Sequence, residues 1–337
     1  MLIVGFRGTS ADGTSYITKA IKELNIGGVV LFDYDGPGKS FPRNITEPEQ
    51  VKKLCLSLQK SSPVPLIIAV DAEGGMINRL KPDYGFLDIS SHQKLGEINK
   101  PDQTYREISK LAKQLSDLGI NTNFAPVVDL NRNKDNPVIA KKSRSFSADP
   151  DIVINQSEAF IKAHHDNQVL TAIKHFPGHG SSSGDSHMGL TDVTATYDPI
   201  ELKPFADLIK KGLVDMVMTS HIINREFDTD YPVTLSDYYI KTILRKQMHY
   251  NGVVLSDDMQ MAAITKYYSF KKAVIRAINA GCDMLVISNN CTIYDESAPY
   301  KAVDIIVEAL KKGEISEGRI KEALNRIEAL KRRLRSL

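Results

Sequence analysis

Eight short apolar runs, recurring from one end of the chain to the other, constrain its fold more than any other feature. They are Leu2 to Phe6, Gly28 to Phe32, Leu66 to Asp71, Thr122 to Asp129, Leu170 to Phe176, Met216 to His221, Gly252 to Asp257 and Asp283 to Ser288. Most are near-continuous, as in Gly28-Val29-Val30-Leu31-Phe32, which is the pattern of parallel strands buried on both faces. Between them lie amphipathic stretches: Ser15 to Leu24, Pro48 to Gln59, Gln103 to Leu118, Pro150 to Asp166, Pro199 to Lys211, Ser236 to Gln247, Phe270 to Ala280 and Ala302 to Lys312. The third carries Ile108, Leu111, Leu115 and Leu118 at helical spacing, so one side of it is built for burial. Such an alternation closes either as an open doubly wound sheet or as a barrel. Eight strands spread over more than ~250 residues predict a single-domain (β/α)8 barrel of the TIM type. No Gly/Ser/Pro-rich linker divides the chain, so residues 1–337 are read as one domain. The polar segment Asp33 to Ile45 is expected to lie on the mouth of the barrel. A last amphipathic helix, Ser316 to Leu334 with Ser316 as N-cap, is expected to pack outside, with Arg332, Arg333 and Arg335 on a solvated face.

Charge narrows the choice of partner. The 43 basic and 41 acidic side chains leave a net charge of +2, too little field to favour nucleic acid or an anionic membrane. No apolar run approaches the ~20 residues of a membrane-spanning helix, and the run from Met1 to Phe6 is shorter than a secretory core of ~7–15 residues. The address stays open between the cytoplasm and export behind a removed leader. Nothing in the composition sets an oligomeric state. Cys55, Cys282 and Cys291 are odd in number and irregularly spaced, which argues against a disulfide framework or a zinc knuckle. The expected partner is a small molecule, with no cofactor.

In a barrel the C-terminal ends of the strands carry the chemistry, and several strands here end in polar groups. The third ends in Asp71-Ala72-Glu73-Gly74-Gly75, the fourth in Asp129, the fifth in Lys174-His175, the sixth in His221 and the seventh in Ser256-Asp257-Asp258. Carboxylates from three strands converging on one mouth suit nucleophilic or acid/base work. Asp257 sits at the last strand position, facing the axis or mouth, whereas Asp258 reads as the N-cap of the following helix. Lys174 is equally readable as a counter-ion for these acids.

The segment Lys174-His175-Phe176-Pro177-Gly178-His179-Gly180, followed by Asp185-Ser186-His187, gathers three imidazoles into one loop. Residues two apart in an extended or turning loop can face the same way. Asp185 can then accept a hydrogen bond from one nitrogen of His187 and leave the other for a substrate, which makes His187 a candidate general acid/base. An incidental Asp–His pair is one alternative. Metal binding by His175, His179, Asp185 and His187 is another, although Pro177 and Gly178 break the helix that a His-x-x-x-His pair would use.

These motifs together resemble the family 3 glycoside hydrolases, in particular their bacterial β-N-acetylglucosaminidase branch. The resemblance rests on Asp71 to Gly75 with Arg79, Asn123 to Asp129, Ser143-Arg144-Ser145-Phe146, Lys174 to Gly180, Asp185-Ser186-His187 and Gly252 to Asp257, and it covers nearly the whole chain. It implies a retaining, exo-acting enzyme that releases terminal N-acetyl-β-glucosamine from a carbohydrate substrate, with cell-wall peptidoglycan recycling as one setting. Asp257 would be the nucleophile and His187 the acid/base, oriented by Asp185. Asp71, Arg79, Arg144, Lys174 and His175 would hold the sugar. Met76 stands where the branch commonly has an arginine, and Thr191 where a proline often follows the loop. Three other functions remain in view: phosphorolysis on the same scaffold, metal-dependent hydrolysis through the histidine loop, and non-catalytic sugar binding that keeps the clamp without turnover.

Overall fold

The computed structural model describes residues 1–185 and 188–334. Eight parallel strands close a barrel: β1 (Leu2–Gly5), β2 (Gly28–Leu31), β3 (Ile67–Val70), β4 (Thr122–Asn123), β5 (Leu170–Phe176), β6 (Met216–Thr219), β7 (Val253–Asp258) and β8 (Met284–Ile287). Each pairs with its neighbours in chain order, and β1 closes on β8. The architecture is therefore the (β/α)8 barrel that the alternation predicts.

Alternation along each strand decides what fills the interior. Ile67 and Ala69 of β3, Leu170 and Ala172 of β5, and Val253 and Leu255 of β7 belong to one apolar cluster inside the barrel, while Ile68, Ile173 and Val254 belong to the cluster between strands and helices. Continuing the inward parity by two residues reaches Asp71, Lys174 and Asp257. The topmost layer of the interior is polar because the sequence stops supplying apolar side chains there.

Three expectations need correction, and one helix was not foreseen. The fourth strand is a ladder over Thr122–Asn123 only, resuming as a bridge between Val127 and Lys174. Pro126 between them has no N–H to donate, although its carbonyl accepts from Lys174 N at 3.2 Å. The stretch Tyr238–Gln247 winds as a π-helix, with Met248 N bonding Ile243 O five residues back. A short helix at His92–Ile98, capped by Ser91, had no long amphipathic pattern to announce it.

The last helix, Glu317–Lys331, is capped by Ser316 as expected but does not simply pack outside. Ile327, Leu330 and Leu334 join the interior cluster with Val253, Met216 and Met284, so the helix seals the floor of the barrel. Arg333 is not merely solvated: its guanidinium pairs with the buried carboxylate of Asp215. Arg332 is exposed, and Arg335 lies outside the described residues. Among the described residues no helix is long and apolar enough to cross a membrane.

Candidate active site

The polar top layer opens into a cavity of about 320 Å³ whose lining includes Asp71, Glu73, Arg79, Arg144, Lys174, His175 and Asp257. Five of these are the expected sugar-holding residues, and Asp257 is the expected nucleophile. Apolar surface from Val30, Phe32, Phe124, Met218 and Val286 forms its floor.

Its cationic wall is built around Glu73. Arg144 grips that carboxylate with two bonds of 2.8 Å, and Lys174 Nζ lies 2.6 Å from Glu73 and 2.9 Å from Asp71. Burial pushes the Glu73 carboxyl up, but Arg144 and Lys174 outweigh it and hold the group well below the usual carboxylate range. Burial in turn works against the Lys174 ammonium, yet Asp71 and Glu73 raise its pKa overall. The counter-ion reading of Lys174 and its place in the cavity wall are thus both realised. Asn123 fixes the approach of this segment: its amide donates to Ala72 O at 2.9 Å and accepts from Ala72 N at 3.0 Å, one residue past Asp71.

His175 stands on a second buried acid. Its Nδ1 lies 2.7 Å from Asp129 Oδ2, which can only accept, while Arg144 Nη2 lies 3.2 Å from Nε2. Together these fix one tautomer, with Nδ1 donating and Nε2 accepting. Asp129 also accepts from His179 N at 2.8 Å; burial raises its pKa, but His175 and His179 bring it below the ordinary value. His179 itself is buried behind His175, and burial lowers its pKa to about 4.

Arg79 is held more loosely. Its guanidinium is 3.8 Å from both Asp71 and Asp33, and its Nε is buried without a hydrogen-bond partner. The terminal N–H groups, unlike the buried Nε, are open to hydroxyls in the cavity that Arg79 lines.

On β7, Asp257 and Asp258 take opposite roles. Asp257 lines the cavity and accepts from the N–H of Asp258 at 2.7 Å. Asp258 is not the N-cap that its position suggested. Its carboxylate, also in the cavity lining, is held toward β8, accepting from Ser288 Oγ, from Ser288 N at 3.1 Å, from Cys291 Sγ at 2.9 Å and from Gln260 N at 3.1 Å. The reason is a register shift between Leu255 and Asp258 in the pairing with β8, a bulge that re-aims successive side chains. Cys55 and Cys282 are buried, and Cys291 lines the cavity wall beside Asp258.

The histidine loop leaves β5 through Gly178, whose φ of +123° suits glycine. At Gly180 an added Cβ would lie 1.6 Å from Leu130 O, so only glycine fits so tight a crossing. Glu201 anchors the loop from below, accepting from Gly180 N at 2.7 Å, Ser181 N at 3.0 Å and Ser181 Oγ. Burial raises the Glu201 carboxyl to about 7. Farther along, Met188 N donates to Asp185 O at 2.9 Å, and Lys266 Nζ, beyond β7, donates to Met188 O at 2.9 Å. His187, expected as acid/base, lies with Ser186 outside the described residues. Among the described residues no group of three or more His, Cys, Asp or Glu is arranged to hold a metal ion.

Glu73 and Asp129 are legible in the sequence as acids at strand ends converging on the mouth, but only the structure shows them as the anchors of Arg144, Lys174 and His175. Glu201 left no signal, because it lies twenty residues beyond the loop that it holds.

Fold and cavity together define a parallel barrel with a sugar-sized polar cup at the C-terminal ends of its strands. The chain belongs to glycosyl hydrolase family 3: residues 8–330 match the model of the glycosyl hydrolase family 3 N terminal domain. It is similar to beta-hexosaminidase A of Pseudoalteromonas piscicida (33% identical, covering 94% of this chain) and to the beta-hexosaminidase of Idiomarina loihiensis (34% identical, covering 74% of this chain and 75% of that protein). The family 3 β-N-acetylglucosaminidase of Paenibacillus sp. FPU-7 superposes over 98% of this chain with a TM-score of 0.89 at 34% identity. The chain spans 55% of the Pseudoalteromonas protein and 61% of the Paenibacillus one. It spans 96% of the β-N-acetylhexosaminidase of Beutenbergia cavernae, with a TM-score of 0.83 at 26% identity.

Proposed function

We propose that this chain is an exo-acting, retaining β-N-acetylglucosaminidase that removes terminal N-acetyl-β-glucosamine by double displacement. The observation that carries the reading is Asp257 at the inward top of β7, facing the Asp71, Arg79, Arg144 and Lys174 wall across one small cavity. That cavity is at the low end of the ~300–1,000 Å³ range of ligand sites, which suits one sugar ring and end-on attack. The name of the Paenibacillus relative supports N-acetylglucosamine as that ring. Peptidoglycan fragments undergoing recycling are its proposed source, in keeping with the bacterial origin of those relatives.

In the first displacement a carboxylate oxygen of Asp257 bonds to the anomeric carbon while the glycosidic oxygen departs, taking a proton from His187. In the second, His187 takes a proton from water, whose oxygen bonds to the same carbon and releases Asp257. Two inversions retain the configuration. A histidine starts near a pKa of ~6.5 and so cycles near neutral pH without the large shift a carboxylic acid would need. Asp185 is assigned to orient it. The bond from Lys266 to Met188 O supports this pairing, because it ties the loop that carries Asp185 to the segment that follows Asp257.

The test is hydrolysis of matched aryl β-glycosides of N-acetylglucosamine, N-acetylgalactosamine and glucose, with NMR of the first anomer released. The β-anomer of N-acetylglucosamine is expected first, and Asp257→Ala should lower turnover by roughly 10⁴-fold. Turnover of that variant near the wild-type rate would sink the assignment, and a glycosyl phosphate product that forms only in phosphate buffer would favour phosphorolysis.

A further inference from the structure

One cation of the cavity has no part in the networks described above. Lys142 ends the short 3₁₀ turn Ala140–Lys142, in the loop that follows β4, and its half-buried side chain lines the cavity. The other cations in the lining are committed: Arg144 and Lys174 share Glu73, and Arg79 lies between Asp71 and Asp33. Among the described residues Lys142 has no carboxylate within 4.0 Å and no hydrogen-bond acceptor for its ammonium. Its neighbour Lys141 points elsewhere, 3.7 Å from the exposed Asp135.

Position gives this charge a meaning. In the closed order of strands β3 lies diametrically opposite β7, and β4 is next to β3. The wall bearing Arg79 and Lys142 therefore stands across the mouth from Asp257. A pyranose with its anomeric carbon at Asp257 turns its far end toward that wall, and the longest arm it can extend there is the exocyclic C6 oxygen. The carboxylates of the far wall are all engaged elsewhere: Asp33 faces Arg79, Asp71 lies between Arg79 and Lys174, Glu73 between Arg144 and Lys174, and Asp129 bonds the backbone and ring of His175. A neutral sugar does not need a further unpaired ammonium, whereas an oxyanion ester does.

We infer that the cavity accepts a terminal N-acetylhexosamine carrying an anionic ester, sulfate or phosphate, on its C6 oxygen, and that Lys142 is the residue selecting for it. The inference rests on the glycosidase reading above and adds to it the class of substituted sugar. Lys142 touches the ester and not the reacting atoms, so it is a specificity residue.

The experiment compares kcat/KM for 4-methylumbelliferyl N-acetyl-β-glucosaminide with that for its 6-sulfo and 6-phospho forms, in the wild type, Lys142→Gln and Lys142→Arg. The wild type is expected to turn over at least one ester at no less than about a tenth of the plain rate, and Lys142→Gln should lower the ester-to-plain ratio ~10-fold or more, the range of a lost hydrogen bond to a charged group. Lys142→Arg should restore most of that ratio. The two esters distinguish a monoanion from a dianion as the preferred group. Hydrolysis of the plain glycoside with refusal of both esters, or an ester ratio unmoved by Lys142→Gln, overturns the subsite alone. Failure to hydrolyse the plain glycoside and both esters overturns the glycosidase reading and this inference with it, whereas hydrolysis of an ester alone supports both.

Discussion

The two ends of the barrel both bury carboxylates among arginines and lysines, yet they use them differently. At the floor, Asp283 is fully buried and receives Arg245 at 2.6 Å, Arg319 at 2.7 Å, Arg326 at 3.2 Å and the N–H of Val254 at 2.9 Å. Asp215 receives His165 at 2.8 Å, Thr171 N at 2.8 Å and Arg333. Every partner either belongs to the last helix or ties a strand end or helix to the floor, and the apolar residues Ile327 and Leu330 close over the interior. At the mouth, Glu73 is just as buried, but its partners Arg144 and Lys174 also border open space. The floor satisfies its charges to fasten a helix. The mouth satisfies them only in part, leaving donors on Arg79 and Lys142 turned to a cavity. A buried ion pair is weak proof of stability in itself, so the difference lies in what the pairs hold in place.

Substitutions at the two ends should separate these uses. Glu73→Gln keeps the shape and removes the charge that Arg144 and Lys174 share. It should cost ~3–5 kcal/mol of stability as a broken buried pair, and the displaced sugar wall should lower kcat/KM by about 10²-fold. Urea denaturation and aryl glycoside kinetics read the two effects, and a stable variant with full activity would remove the wall from the mechanism. Asp283→Ala should cost a similar ~3–5 kcal/mol while leaving kcat/KM unchanged in whatever fraction stays folded. A loss of kcat/KM without loss of stability would break the division between floor and mouth.

The smallest effect concerns pH. Lys331, on the floor helix, is pushed down to about 8 by burial from its ordinary 10.5. Between those values the unfolded chain binds the proton that the folded chain has lost, so wild-type stability should gain with rising pH from about 8 to 10.5. Lys331→Met should flatten that rise in urea midpoints measured across the window. An unchanged slope would show that the ammonium reaches water from the floor.

Much of the site was legible because strand parity is rigid. In the runs ending at Asp71, Lys174 and Asp257, apolar residues alternate inward at steps of two, and the first polar residue in that series must meet its counterparts near the axis. The strands themselves were legible for the same reason, except at the fourth, where Pro126 interrupts the ladder. Other features left no local signal. Asp258 reads as a helix cap until a bulge turns its carboxylate to Ser288. Glu201 looks like any acid in the first turn of a helix until the chain folds Gly180 and Ser181 onto it. The last helix showed an amphipathic pattern, but a pattern cannot say whether the apolar face covers a flank or a floor.

By itself, then, the sequence determined the alternation, the barrel and the inward rank of Asp71, Lys174 and Asp257, because side-chain direction along a strand is a local property with a period of two. Only the tertiary structure decided which acids meet which bases, that Glu73 lies between Arg144 and Lys174, that Asp283 gathers three arginines, and that Lys142 meets none of the described carboxylates. Those pairings join residues far apart in the chain, Arg144 and Glu73 by 71 positions and Lys174 and Asp71 by 103, and their energies depend on burial and distance, which no segment of chain possesses until the barrel has closed.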